Sequence, residues 1–119
     1  MSWSRTDATL HLEATARRHK ILIAWRRRTW RRYEAHVDTR MVFIGEPHTA
    51  RDYLAALHEM GHIVSRHSVA AGKRKDCLTE EAAAWDWALR NASVSMREHL
   101  TERHRREIGG AWATYIPTG

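Results

Sequence analysis

His58-Glu59-Met60-Gly61-His62 sets two imidazoles and a carboxylate at a spacing that suits metal-assisted hydrolysis. Residues four apart on a helix stand one above the other, so His58 and His62 can offer ring nitrogens to one ion. Glu59 projects from the adjoining surface, where it can take a proton from a metal-held water. Zinc suits this donor pattern. A catalytic zinc site needs a third protein ligand and keeps one position open for water.

The next helix should supply that ligand. Thr79 can cap it, with a run from Glu80 to about Glu107 stopped by Gly109-Gly110. Its apolar stripe reads as Trp85, Leu89, Ala92 and Met96, with Ala88 beside it. At about 100° per residue, Glu81 lies roughly 40° from the middle of that stripe and Glu80 about 140° away. An inward carboxylate is costly unless something satisfies it, and a metal ion would. Glu81 is therefore the expected ligand. Glu80 and His67 are the alternatives.

Around the motif, a basic first helix capped by Thr6 or Asp7 is expected over about 7–34, with a stripe of Leu10, Ala14, Ile21, Ala24 and Trp25. Met41-Val42-Phe43-Ile44 reads as a short strand ended by Gly45 and Pro47, paired with a neighbour from 35–38. Thr49 and Asp52 form a capping box that starts the motif helix at Ala50, with its end near Arg66–His67. Residues 68–76 read as a loop. Gly61 inside a helix costs about 1 kcal/mol relative to Ala, which close approach of another backbone or of substrate would explain. Trp85 is expected in the core, and some of Trp3, Trp25, Trp30, Trp87 and Trp112 on a partner surface.

These residues, with Glu81-Ala82 and Trp85-Asp86-Trp87-Ala88, resemble the ImmA/IrrE group of small zinc metallopeptidases over roughly residues 36–92. Trp stands where that group has Phe, and its later apolar-Pro pair is missing. The resemblance implies a zincin-like (gluzincin-like) minimal domain: α+β, predominantly helical, with about three main helices and a short strand or small sheet before the motif helix. It implies one zinc ion on His58, His62 and Glu81, Glu59 as general base, and a protein or peptide substrate held by strand addition along Met41–Ile44. His67, Tyr53, His99, His104 and Tyr115 are candidates to assist the oxyanion.

A chain of 119 residues with 43% apolar content fits one globular domain. The longest apolar run, Ile21 to Trp25, is too short to cross a bilayer, and no secretory h-region is expected. The single cysteine, Cys77, expected at a loop-helix junction, excludes an internal disulfide and fits the cytoplasm. Eight Lys or Arg fall between Arg17 and Arg32 with no acid among them; removing them from the net +6 leaves the rest of the chain at about −2. Arg26, Arg27, Arg28, Arg31 and Arg32, with Trp30, are thus a possible nucleic-acid surface. The rivals to a peptidase are a nucleic-acid-binding accessory protein with a structural or degenerate metal site, and an interaction module that keeps the scaffold without turnover.

Overall fold

The computed structural model describes residues 4–26, 33–65 and 74–93. Helix α1 (Arg5–Arg18) starts at Ser4, whose Oγ accepts the Asp7 N–H at 3.2 Å. The expected caps, Thr6 and Asp7, lie inside it. It ends at Arg18 rather than near Glu34, because Lys20 turns left-handed at φ 56°. Lys20 N–H then reaches the Arg17 carbonyl and Ile21 N–H the Ala16 carbonyl, at 3.2 and 2.8 Å. This is a Schellman closure made without glycine. The α1 stripe differs accordingly: Ala8, Leu12, Thr15 and Ala16 are buried, while Leu10 and Ala14 are exposed.

Beyond the closure the chain extends as β1 (Leu22–Arg26), in keeping with the strand preference of its branched and aromatic residues. β2 (Glu34–His36) and β3 (Met41–Gly45) form the expected hairpin. Its turn closes through Arg40 N–H to the Val37 carbonyl at 3.2 Å, with Arg40 left-handed at φ 53°. The Arg40 guanidinium donates to the His19 and Lys20 carbonyls, tying this turn to the end of α1. The sheet order is β1-β3-β2, with β1 parallel and β2 antiparallel to β3. β3 is therefore the central strand.

Helix α2 (Ala50–Val64) begins as the capping box predicts: Thr49 Oγ1 accepts the Asp52 N–H, and the Asp52 carboxylate accepts the Thr49 N–H. It stops at Val64, shortly before the expected Arg66–His67. Helix α3 (Arg74–Asn91) starts and ends earlier than the predicted Glu80 to Glu107. No Gly or Pro between Lys73 and Thr79 prevents the early start, and Cys77 lies inside the helix. At the far end the Asn91 side chain bonds back to the Trp87 carbonyl at 2.8 Å, and Ser93 N–H goes to the Tyr53 hydroxyl at 2.9 Å. Both draw polar groups off the helical ladder.

Val42 and Ile44 of β3 meet Leu54, Leu57, Met60 and Ile63 of α2, with Ala8, Leu12 and Ala16 of α1 on one flank. Among the described side chains, Ala84, Trp87, Ala88 and Ala92 are buried on the third helix side. Of the five tryptophans from which a partner surface was expected, Trp87 is core and Trp25 is exposed, while Trp85, expected in the core, is half-buried against it. The architecture is α+β and mostly helical, with three helices and one small mixed sheet among the described residues. None of those helices is long and apolar enough to cross a membrane. Trp3, Arg27, Arg28, Trp30, Arg31, Arg32, His67, Met96, His99, His104, Gly109, Gly110, Trp112 and Tyr115 lie outside the described residues.

Candidate metal centre

α2 carries the motif on the side that α3 crosses, and the crossing is close because of Gly61. A Cβ there would stand 2.8 Å from the Ala84 carbonyl oxygen and 3.1 Å from the Ala84 Cα. The glycine lets the backbone of α3 lie directly on α2, the close approach its place in the motif predicts. Ala84 is one turn beyond Glu81, so the same contact delivers the Glu81 carboxylate to the two histidines.

There the three side chains converge. His58 Nε2 lies 2.7 Å from Glu81 Oε2, and His62 Nε2 lies 3.1 Å from Glu81 Oε1. The two Nε2 atoms are 3.2 Å apart. Zinc–nitrogen bonds of about 2.0–2.1 Å imply about 3.3 Å between two nitrogens of a tetrahedron, so the imidazoles already have a ligand spacing. Glu59 completes the cluster: one donor atom from each of His58, Glu59 and His62 lies within 4.8 Å of the others. Two nitrogens and a carboxylate facing one point are a donor set that can hold a divalent ion. The structure brings Glu81 to the histidines. Glu80 meets them only through its charge, which helps to raise the His62 pKa.

The site's electrostatics follow from burial and from this convergence. Burial lowers the His58 pKa, and Glu81 offsets that only in part. Burial would also lower His62, but its hydrogen bond to Glu81 and the charges of Glu81, Glu59 and Glu80 raise it. For Glu81, burial pulls upward and is overcome by hydrogen bonds from both imidazoles, which hold the carboxyl well below the usual range. Glu59 behaves oppositely. Burial pushes it up to about 7, with Glu81 and Glu34 adding to the rise and His62 opposing it.

Two influences on the site were not predicted from the sequence. Trp85 stacks on His58, ring centroids 3.9 Å apart and 32° between planes. The His58 Nδ1 is buried and has no hydrogen-bond partner among the described residues. A metal-binding imidazole is commonly oriented through that second nitrogen; here the indole fixes the ring plane instead. Trp85 stands one turn after Glu81, a legible signal once the carboxylate is taken as a ligand. The other is the charge of Glu34 on β2, which helps to raise the Glu59 pKa and which no local spacing announces.

Some expectations fail. Tyr53 does not serve the site: its hydroxyl lies 2.7 Å from His11 Nδ1 and accepts from Ser93 N–H. The strand Met41–Ile44 cannot receive a further strand, because β1 and β2 occupy both of its sides. Arg26 sits on β1 with its guanidinium 4.3 Å from the Phe43 ring centre, not on a basic helical face. Compared with known proteins, the chain matches no family model, no curated protein and no solved structure.

Proposed function

We propose that the protein is a zinc-dependent metallopeptidase of the zincin type, similar in its motif residues to the ImmA/IrrE group. The observation that carries this reading is the convergence of His58, His62 and Glu81 from two helices, with Glu59 beside them. His58, His62 and Glu81 would hold the ion. Zinc bound there supplies Lewis acidity that activates water and polarises the scissile carbonyl.

The remaining work falls to the chain. Glu59 accepts the proton of the attacking water at its carboxylate and returns it to the leaving nitrogen. In the metal-free site burial pushes Glu59 up to about 7, and a bound divalent ion would draw it down towards the carboxylate form that accepts the proton. An extended substrate needs an open strand edge, and β2 offers one. It is a terminal strand of the described sheet, and α2 packs against it. We therefore assign strand addition to Glu34–His36. The single cysteine fits a cytoplasmic setting.

The test compares wild type with Glu59→Gln, reconstituted with zinc and incubated with a mixed peptide library read by mass spectrometry. Wild type should bind about one zinc per chain and cleave. Glu59→Gln should keep the zinc and lose cleavage by about two orders of magnitude or more. Cleavage that persists in the variant, or a wild type that takes up no zinc, would sink the proposal.

A further inference from the structure

The basic segment does not form one helical face; the structure divides it. Arg17, Arg18 and Lys20 are exposed at the closing turn of α1, and none of them makes an ion pair with a described residue. The chain then runs along β1, the sheet edge opposite β2 and so opposite the strand beside the candidate metal centre. Trp25 on this edge is 41% exposed. It pairs with Ile44, whose side chain faces the helices, so the indole lies on the side of the sheet where α1 packs. Four residues separate it from Lys20, so the two lie at most about 17 Å apart along the chain. The positive potential is felt nearby: burial lowers the pKa of both His11 and His19, and the charge of Arg18 lowers each further.

We propose that this edge, with Arg17, Arg18 and Lys20 as phosphate contacts and Trp25 as a stacking plate, binds single-stranded nucleic acid. Unpaired cations recruit a phosphodiester backbone by releasing its counterions. An indole within a few nucleotides' reach of them adds affinity for bases whose faces are open, which a duplex does not offer. An anionic membrane fits less well. The other exposed apolar residue of the strand, Leu22, is 62% exposed but stands three positions from Trp25, so the two point to opposite faces and form no joint inserting surface. Arg26 is set aside because its guanidinium lies over Phe43.

Fluorescence anisotropy of full-length protein with oligothymidylate and oligouridylate of about 15 nucleotides tests this, with a matched duplex and anionic vesicles alongside. Arg17→Glu/Arg18→Glu/Lys20→Glu should weaken single-strand binding at least about tenfold and lower the salt slope by about 2. Arg5→Glu/Arg51→Glu/Arg90→Glu carries the same net charge on other exposed positions and should change affinity by less than about threefold. Trp25→Ala should cost about fivefold or more, and Trp25→Phe should restore most of it. Glu59→Gln should bind like wild type, so this surface and the peptidase reading stand or fall separately. Equal losses in the two triple variants, preference for duplex or vesicles, or an unaffected Trp25→Ala would each overturn the proposal.

Discussion

Gly61→Ala probes the helix crossing on which the candidate centre depends. An alanine gains about 1 kcal/mol of helix propensity over glycine, so by local preference alone the variant should be more stable. Its Cβ, however, would stand 2.8 Å from the Ala84 carbonyl oxygen. Carbon–oxygen contacts settle at about 3.3–3.6 Å, so α3 must retreat by about 0.5 Å at the crossing. Overpacking of this kind costs about 1–3 kcal/mol, which leaves a net loss of up to about 2 kcal/mol. The larger effect falls on the ligands. Glu81 lies one turn from the contact, and its distances of 2.7 and 3.1 Å to the imidazoles should open by a comparable amount. Metal–ligand distances tolerate about 0.2 Å. Zinc affinity should therefore fall by about tenfold or more, as it does when ligand placement is disturbed from outside the coordination shell. Chelator competition at fixed pH measures the affinity, and thermal melts of the metal-free protein measure the stability. A variant that melts higher and binds zinc as tightly as wild type would refute both the closeness of the crossing and its role in placing Glu81.

Glu81→Ala should lose zinc by more than the about 10–100-fold typical of outer contacts, whereas Glu80→Ala should stay near wild type; competition titration of both decides which carboxylate is the ligand. Trp85→Ala frees the His58 ring from its stacking partner and should weaken zinc by about tenfold, with Trp85→Phe intermediate, in the same titration. Glu59 titrates higher in the folded, metal-free protein than when unfolded, so its contribution is most favourable below the unfolded pKa and declines as pH rises towards about 7. Glu59→Gln should accordingly stabilise the metal-free protein at pH about 8, by at most about 3 kcal/mol, and much less at pH about 5; paired denaturant melts check the sign. Tyr53→Phe removes the acceptor of the Ser93 N–H and the contact to His11, and should cost about 1–3 kcal/mol with faster amide exchange at the end of α3.

How much of this could be read from the chain depended on the range of the interactions. The α2 start at Thr49 and the β2–β3 pairing were legible because a capping box and a short branched strand are local signals. Glu81 was reached from a stripe through Trp85, Leu89 and Ala92, whereas the buried residues are Ala84, Trp87, Ala88 and Ala92; the close crossing at Gly61, one turn from Glu81, is what sets that carboxylate on the histidines. The end of α1 was not legible. Its closure uses Lys20 in a conformation that usually advertises itself with glycine, and the apolar run after it satisfies helical and strand periods alike. The end of α3 was hidden for another reason. Ser93 leaves the ladder for Tyr53, forty residues earlier, and no window along the sequence contains both. Trp87 is buried in the core while Trp85, expected there, is half-buried and stacks on His58, because the phase of the buried stripe depends on what α3 packs against.

The same long-range contacts bear on how firmly the ligands are held before any ion arrives. α3 is fastened to α2 at two points: the Gly61–Ala84 crossing next to Glu81, and the bond from Ser93 to Tyr53 about 13.5 Å further on, just past the end of the helix. Trp87 and Ala88, buried between them, resist sliding along α2. A helix held near its middle and at its C-terminal end leaves Glu81, one turn before the crossing, little freedom to swing, so its carboxylate meets His58 and His62 through contacts in which the metal takes no part. Little ordering of the chain then has to be charged against binding, in contrast to small metal domains that fold only around their ion. Metal-free and zinc-loaded protein should consequently give similar far-ultraviolet circular dichroism. A large gain of helix on adding zinc would mean that the crossing at Gly61 is made by the ion and not by the packing.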